Sequence, residues 1–302
     1  MSSGQRWLIT GGSGLLGSWC VRAARAAGHD VTAQHHTLAA LPLGPEITWR
    51  AVDLTRSDDV TRLVQQTSPA VVIHTAAMAQ PRDCELDPER AHVVNVRAAA
   101  ELASATHACG GRFIHLSSDL VFAGDQAPYD ENDPRTPIHV YGRTKAQSED
   151  EVAARCPNNV VVRTSLQVGP SPRGNRGIEE VLATAVKRGE RPQLFTDEFR
   201  QPMASEDLAA ILVWLGGQRY AGVLHVAGPE RLSRHAIGVK VAEAFGFPSS
   251  QLDAVPLSSA PQAFPHRAPD VTLRLDRLRA LGPPLWPRRL SDVLATHPLA
   301  KR

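Results

Sequence analysis

The sequence predicts an α/β fold, a doubly wound parallel sheet with a smaller C-terminal part. Three observations carry that expectation. Short β-branched runs alternate with helical stretches through the first half of the chain. A glycine-rich turn, Gly11-Gly12-Ser13-Gly14-Leu15-Leu16-Gly17, joins the first strand to the first helix. The 302 residues are 42% hydrophobic and 21% charged, enough apolar side chain for one large domain or two modest ones.

The elements follow in order. Trp7–Thr10 is a short apolar strand, and Leu15–Ala27 a helix stopped by Gly28. Asp30–Gln34 and Ile47–Val52 are the next strands, and Ser57–Gln66 is helical. Ala70–His74 is β-branched throughout its middle, as a strand buried on both faces requires. Pro88–Ala108 is a long Ala-rich helix ended by Gly110-Gly111, and Arg112–Ser117 a strand. A loop rich in Asp and Pro precedes a helix at Val140–Ala154 and a strand at Val160–Thr164. Beyond Thr164 the alternation breaks. Helices are expected at 178–188, 206–215, 233–245 and 273–281, with a strand at 223–226. The boundary therefore falls there: residues 1–164 form the nucleotide-binding part and 165–302 the substrate-binding part, with about 194–228 returning to the first.

Composition excludes several functions. A net charge of +2 gives no signal for nucleic acid or a membrane surface. No apolar run reaches the roughly 18 residues of a membrane span, and the N-terminus lacks a signal-peptide pattern, so a cytoplasmic protein is expected. Cys20, Cys84, Cys109 and Cys156 are scattered without a Cys-x-x-Cys, which reads as reduced thiols. The twelve His show no zinc-type spacing, so no metal is expected.

The turn carries the cofactor argument. Glycines at 11, 14 and 17 permit a tight bend and close backbone approach to a pyrophosphate, at a helix N-terminus that favours anions. Ser13, Leu15 and Leu16 lie in the same turn. This is the dinucleotide site of a Rossmann-type fold. The second strand closes on Gln34-His35-His36-Thr37, without the acid that usually holds an NAD ribose. That favours NADP(H), with NAD(H) the alternative. His35 or His36 can pair with a 2′-phosphate when protonated, or can be surface loop residues.

The catalytic argument rests on Tyr141 and Lys145. The chain has three Tyr and only four Lys, so chance gives a Tyr-x-x-x-Lys only ~0.04 times per chain. Residues four apart share a helix face, and an ammonium there is expected to lower the phenol's pKa. Ser118, at a strand's C-terminal end, can donate to an oxyanion.

These blocks resemble the extended short-chain dehydrogenase/reductases, and within them the dTDP-4-dehydrorhamnose reductase group. The resemblance runs through Thr10–Gly17, Val52-Asp53-Leu54, His74-Thr75-Ala76-Ala77, Asn95, Ser117–Gly124, Tyr141-Gly142-Arg143-Thr144-Lys145, Arg163-Thr164-Ser165 and Asp197–Pro202. It implies a catalytic set of Ser118, Tyr141 and Lys145. It implies that Asp53 and Leu54 meet the adenine, that Thr75, Ala76 and Ala77 line the cofactor, and that Asn95 is structural. Asp119, Leu166, Val168, Arg200 and Gln201 fall on the substrate side. Arg200 and Gln201 suit a diphosphate or sugar; Asp119 assists catalysis or caps its loop, the cap being favoured. Leu120, Leu166, Val168 and Met78 stand where the group has aromatic residues, which points to a different ligand.

The resemblance implies an NAD(P)H-dependent reductase of a keto group on a nucleotide sugar, and a homodimer through the Ala-rich and Tyr141 helices. The alternatives are a nucleotide-sugar epimerase or dehydratase, and a cofactor-binding regulatory subunit like that of methionine adenosyltransferase.

Overall fold

A computed structural model describes residues 4–37, 39–259 and 266–300. Seven parallel strands form the central sheet. In chain order the elements begin β1 (Arg6–Thr10), α1 (Leu15–Ala26), β2 (Asp30–His35), β3 (Thr48–Ala51), α2 (Ser57–Thr67) and β4 (Val71–His74). They continue α3 (Pro81–Leu86), α4 (Pro88–His92), α5 (Ala98–Ala108), β5 (Arg112–Ser118), α6 (Val140–Arg155) and β6 (Val160–Thr164). The second half contains β7 (Gln167–Val168), α7 (Ile178–Lys187), β8 (Gln193–Phe195), β9 (Phe199–Arg200), β10 (Met203–Ala204), α8 (Ser205–Gly216) and β11 (Gly222–Val226). It closes with β12 (Leu232–Ser233), α9 (Arg234–Phe245), β13 (Asp253–Val255), α10 (Asp276–Leu281) and α11 (Leu290–Ala295).

The sheet order is β11-β6-β5-β4-β1-β2-β3. Order reverses between β1 and β4, which opens a crevice above the strand C-termini. Strands β4 and β6 are buried along their whole length, so their β-branched sequences meet apolar layers on both sides. On one face α1 and α8 pack around Trp7, Ile9, Val21, Leu208 and Leu212. On the other, α2, α5 and α6 close over Leu8, Val60, Leu102, Phe113 and Val152. The chain beyond Thr164 thus supplies both α8 and the edge strand β11, while a separate core of Val168, Leu182, Leu194, Ile237 and Leu294 builds the substrate-side part.

The long helix expected over 88–108 is interrupted by a π-helical segment, Val93–Arg97. That segment seats Asn95, whose carboxamide bonds Met78 N, Met78 O and Thr144 Oγ1 at 2.8, 3.2 and 3.0 Å. Such bulges aim one side chain inward at a functional site. The helix expected from residue 273 begins instead at Asp276. Leu273 is unavailable to it, because the Gln201 carboxamide takes both its N–H and its carbonyl. Cys20, Cys84, Cys109 and Cys156 are all free thiols.

Candidate active site

The first strand ends in the glycine bend. Gly14 N donates to Gly11 O at 2.9 Å, and Ser18 N to Gly14 O at 3.1 Å. Gly11 adopts φ +68°, and a Cβ on Gly17 would lie 2.1 Å from Gly11 O. Both positions therefore require glycine. Ser13 is buried in the bend, and Leu15 and Leu16 open α1 with their N-terminal amides at the sheet's C-terminal edge. Thr75 fastens the neighbouring strand end by donating from Oγ1 to Thr10 O at 2.7 Å. Ala76 and Ala77 continue that strand end, and Ala76 N would lie 2.8 Å from a Cβ on Gly11. Gln34 Oε1 accepts from Gly11 N at 2.9 Å, and a Cβ on Gly14 would meet only the Gly11 carbonyl, at 3.2 Å, so the backbone at Gly14 is open to the approach of a pyrophosphate.

At the end of β2 the structure adds an acid that the local sequence lacks. Asp53, after β3, brings its carboxylate to 3.8 Å from His36 Nε2. The Thr55 N–H holds that carboxyl below its usual range. His35 sits edge-on to Trp49, ring centroids 5.9 Å apart. Leu54 is buried under α2. A cleft of about 500 Å³, lined by His36, Asp53, Thr55, Asp87 and Arg90, opens beside these residues.

Helix α6 carries the chemistry. His139 caps it, its Nδ1 accepting from Gly142 N at 3.0 Å, while Glu85 accepts from Val140 N at 2.7 Å. Gly142 lets the helix reach the loop after β5, where a Cβ would lie 2.1 Å from Leu120 O. This contact brings Tyr141 beside Ser118, whose hydroxyl favours the phenolate. Ser118 Oγ also donates to Asp119 Oδ1 at 3.0 Å and accepts from Leu120 N at 3.2 Å. Its single hydrogen is thus directed at the Asp119 carboxylate, and a reacting oxyanion would compete for it. The loop cap is Ser118, not Asp119 as expected. Asp119 is buried, its carboxyl raised by desolvation, and its Oδ2 has no hydrogen-bond partner among the described residues.

The expected depression of the Tyr141 pKa is reversed. Burial pushes the phenol upward and outweighs the Ser118 hydrogen bond. Lys145 instead carries the large downward shift, to about 8, because its ammonium is desolvated despite Glu149 nearby. No hydrogen bond or ion pair engages Lys145 Nζ among the described residues. A buried ammonium so placed fits the hydroxyls of a nicotinamide ribose. Beneath it, His74 and His115 stack with centroids 5.5 Å apart and remain neutral through burial, His74 falling to about 3.

The sequence reading missed Glu149, although it continues the four-residue spacing of Tyr141 and Lys145. Its buried carboxylate meets Arg163 at 2.8 and 3.0 Å, Arg135 at 3.2 Å, and the Ser117 hydroxyl. That network ties α6 to β5 and β6 and sets the register of Tyr141 and Lys145 above them.

On the substrate side, Leu166 is partly buried and Val168 fully buried in the second core. Gln201 has its carboxamide committed to Leu273, at 2.7 and 3.2 Å. Arg200 pairs with Glu198 at 2.9 Å and bonds the Phe199 and Ala268 carbonyls. Neither is a free ligand group. No cluster able to hold a metal occurs among the described residues.

The sequence pattern of the RmlD substrate binding domain family matches residues 5–297. The methionine adenosyltransferase 2 subunit beta of Danio rerio is 30% identical, covering 92% of this chain and 85% of that one. The probable low-salt glycan biosynthesis reductase Agl14 of Haloferax volcanii is 31% identical, covering 86% and 87%. A hypothetical dTDP-4-dehydrorhamnose reductase from Sulfolobus tokodaii superposes with a TM-score of 0.81 at 26% identity, covering 94% and 98%. The dTDP-4-dehydrorhamnose reductase of Bacillus anthracis, solved with NADP, gives 0.81 at 23% identity, covering 96% and 97%. The chain belongs to the dTDP-4-dehydrorhamnose reductase-like group of the extended short-chain dehydrogenase/reductases, a family of NAD(P)-dependent oxidoreductases.

Proposed function

We propose that this protein reduces a keto group on a nucleotide sugar. The observation that carries the reading is the packing of α6 on the loop after β5, which sets Tyr141 by Ser118 with Lys145 one turn further along the same helix. A bound dihydronicotinamide supplies the hydride. Ser118 donates a hydrogen bond to the oxygen on which negative charge develops. Tyr141, kept protonated by burial, delivers the proton to it. Lys145 would hold the ribose hydroxyls of such a dinucleotide and, as a cation, stabilise the phenolate left behind. Glu149 and Arg163 position α6.

The cofactor is a nicotinamide dinucleotide, as in the NADP complex of the Bacillus anthracis reductase. The end of β2 offers His35 and His36, which favours NADP(H). The Asp53 carboxylate, 3.8 Å from His36, works toward NAD(H) by repelling a 2′-phosphate. A homodimer through α5 and α6 belongs to the same reading. A cleft of about 710 Å³ lined by Val96, Ala100, Ala108 and Gln147 runs along that face.

Similarity to methionine adenosyltransferase 2 subunit beta supports a second reading, a cofactor-binding regulatory subunit. The assembled Ser/Tyr/Lys set favours the enzyme, because a regulatory module has no use for a proton donor. Incubation with NADPH and a panel of 4-keto nucleotide sugars separates the readings. A reductase consumes NADPH in proportion to product. An epimerase transforms sugar without net consumption. A regulatory subunit does neither and co-purifies with a partner enzyme.

A further inference from the structure

Tyr141 lies in the first turn of α6, and that turn is tied down at two points. Val140 N donates to Glu85 Oε1 at 2.7 Å, and Gly142 N donates to His139 Nδ1 at 3.0 Å. Arg143 N closes the first intrahelical bond, onto His139 O at 3.0 Å. Two of the amides that a helix leaves unpaired at its start are thus taken by side chains, and Tyr141 stands between them.

A histidine cap differs from a Ser, Thr, Asn or Asp cap in one respect. It accepts through a nitrogen lone pair that a proton can occupy near neutral pH. Acceptance at Nδ1 requires the neutral ring with its hydrogen on Nε2. A proton on Nδ1 turns the acceptor into a donor aimed at the Gly142 N–H, and sets a cation at the positive end of the α6 dipole. The ring has little room to turn aside. His139 is 3% exposed, and its Cε1 and Leu120 O lie 3.2 and 2.1 Å from where a Cβ on Gly142 would stand. Ring, glycine and the loop after β5 therefore form one contact. The Tyr141 ring is its neighbour, with centroids 6.2 Å apart.

The surroundings keep that lone pair free at neutral pH. Burial first of all holds the imidazole below its usual 6.5. Arg143 on α6 and Arg200 on β9 act in the same sense, while Glu85 on α3 opposes them. Tyr141 itself is neutral.

We infer that His139 is the positioning residue of the proton donor. Its unprotonated Nδ1 holds the first turn of α6, and with it Tyr141, against the Ser118 loop; a proton on that nitrogen releases the turn and slows reduction. This rests on the reductase reading above.

The test follows NADPH consumption from about pH 5 to 7.5, with the 4-keto nucleotide sugars of the panel above, in the wild type, His139→Leu and His139→Asn. At pH 7.5 the Leu variant loses at least about tenfold in kcat through misplacement of Tyr141, with NADPH affinity retained. Asn caps through an oxygen that does not titrate, and so recovers most of that loss. As the pH drops below 6.5 the wild-type kcat falls, and the Asn variant, should the Leu variant fold poorly, still shows the effect by lacking this acid limb. Parallel profiles for the wild type and the Asn variant would overturn the inference. So would wild-type kcat in the Leu variant. Urea melts of the same samples separate the inference from the reading beneath it. The neutral form is favoured by folding, so the His139 contribution to stability is present above 6.5 and lost as the pH falls through the lowered pKa. A wild-type midpoint that drops relative to the Asn variant in acid, with no sugar consuming NADPH at any pH, leaves the cap in place and removes the reductase reading alone.

Discussion

Tyr141 keeps its proton because burial raises its pKa, and Lys145 loses its own near pH 8. Below that pH the pair is phenol plus ammonium, the state that can protonate an alkoxide. As far as this pair sets it, reductase turnover is therefore expected to hold steady below about pH 7.5 and to fall as the pH rises past 8. Tyr141→Phe should lower turnover about a hundredfold with cofactor binding retained; wild-type turnover in that variant would remove Tyr141 from the mechanism. The glycines of the bend divide by what a side chain would meet. On Gly17 a Cβ collides with the Gly11 carbonyl at 2.1 Å, whereas on Gly14 it meets only that carbonyl at 3.2 Å. Gly17→Ala should destabilise the fold by about 1–3 kcal/mol, the usual cost of overpacking. Gly14→Val should melt near the wild type yet fail to bind dinucleotide, because its side chain occupies the face where the pyrophosphate approaches. Denaturant melts beside cofactor titrations check both; a Gly14 variant that binds normally would move the pyrophosphate away from this bend.

The loop of residues 169–177 is an element held by two buried carboxylates at the start of α7. Glu180 accepts from Ser171, Arg176 and Gly177 amides at 2.8, 2.9 and 3.0 Å. Glu179 accepts from Gly169 N at 2.6 Å, and its Oε2 has no hydrogen-bond partner among the described residues. Burial raises the Glu179 carboxyl from 4.5 to about 7, with the Glu180 charge adding to the rise. His297 Nε2 stands 3.6 Å away, too far to hydrogen-bond, and desolvation keeps that imidazole neutral. Between pH 4.5 and about 7 the folded chain holds a proton on Glu179 that the unfolded chain has lost. Its contribution to stability is complete below 4.5 and disappears as the pH climbs through 7, on the order of 3 kcal/mol in all. Glu179→Gln keeps an oxygen for Gly169 and cannot ionise. It should flatten that part of the pH profile and stabilise the protein above pH 7 by roughly 1–3 kcal/mol. Urea melts from pH 5 to 8 provide the check, and parallel profiles for variant and wild type would refute it. The sequence shows α7 through its helical pattern, but not the loop grip, since a carboxylate reaching back to amides leaves no periodic trace.

Across the whole molecule, legibility follows sequence distance. The central sheet could be read because most of its strands are short apolar runs that alternate with helices, and the bend because its glycines fall within seven residues of sequence. The two- and three-residue strands β7, β8, β9, β10, β12 and β13 are too short for any period. Tyr141 and Lys145 could be read from a local spacing, whereas Arg163 meets Glu149 only when α6 packs on β6. Asp53 likewise reaches His36 only through the pairing of β2 with β3. Most of the site is thus a junction of distant segments: the bend, the ends of β4 and β5, and α6. A dinucleotide lying across that junction binds the folded chain alone and must stabilise it. At a concentration one hundred times its Kd the gain is about 2.7 kcal/mol. For a chain of 302 residues that raises Tm by roughly 4 °C. The larger shift between NADPH and NADH at equal concentration identifies the preferred cofactor, and so decides whether His36 or Asp53 dominates the end of β2. Gly14→Val should show no shift with either. A wild type whose Tm moves with neither dinucleotide would remove the cofactor from this crevice.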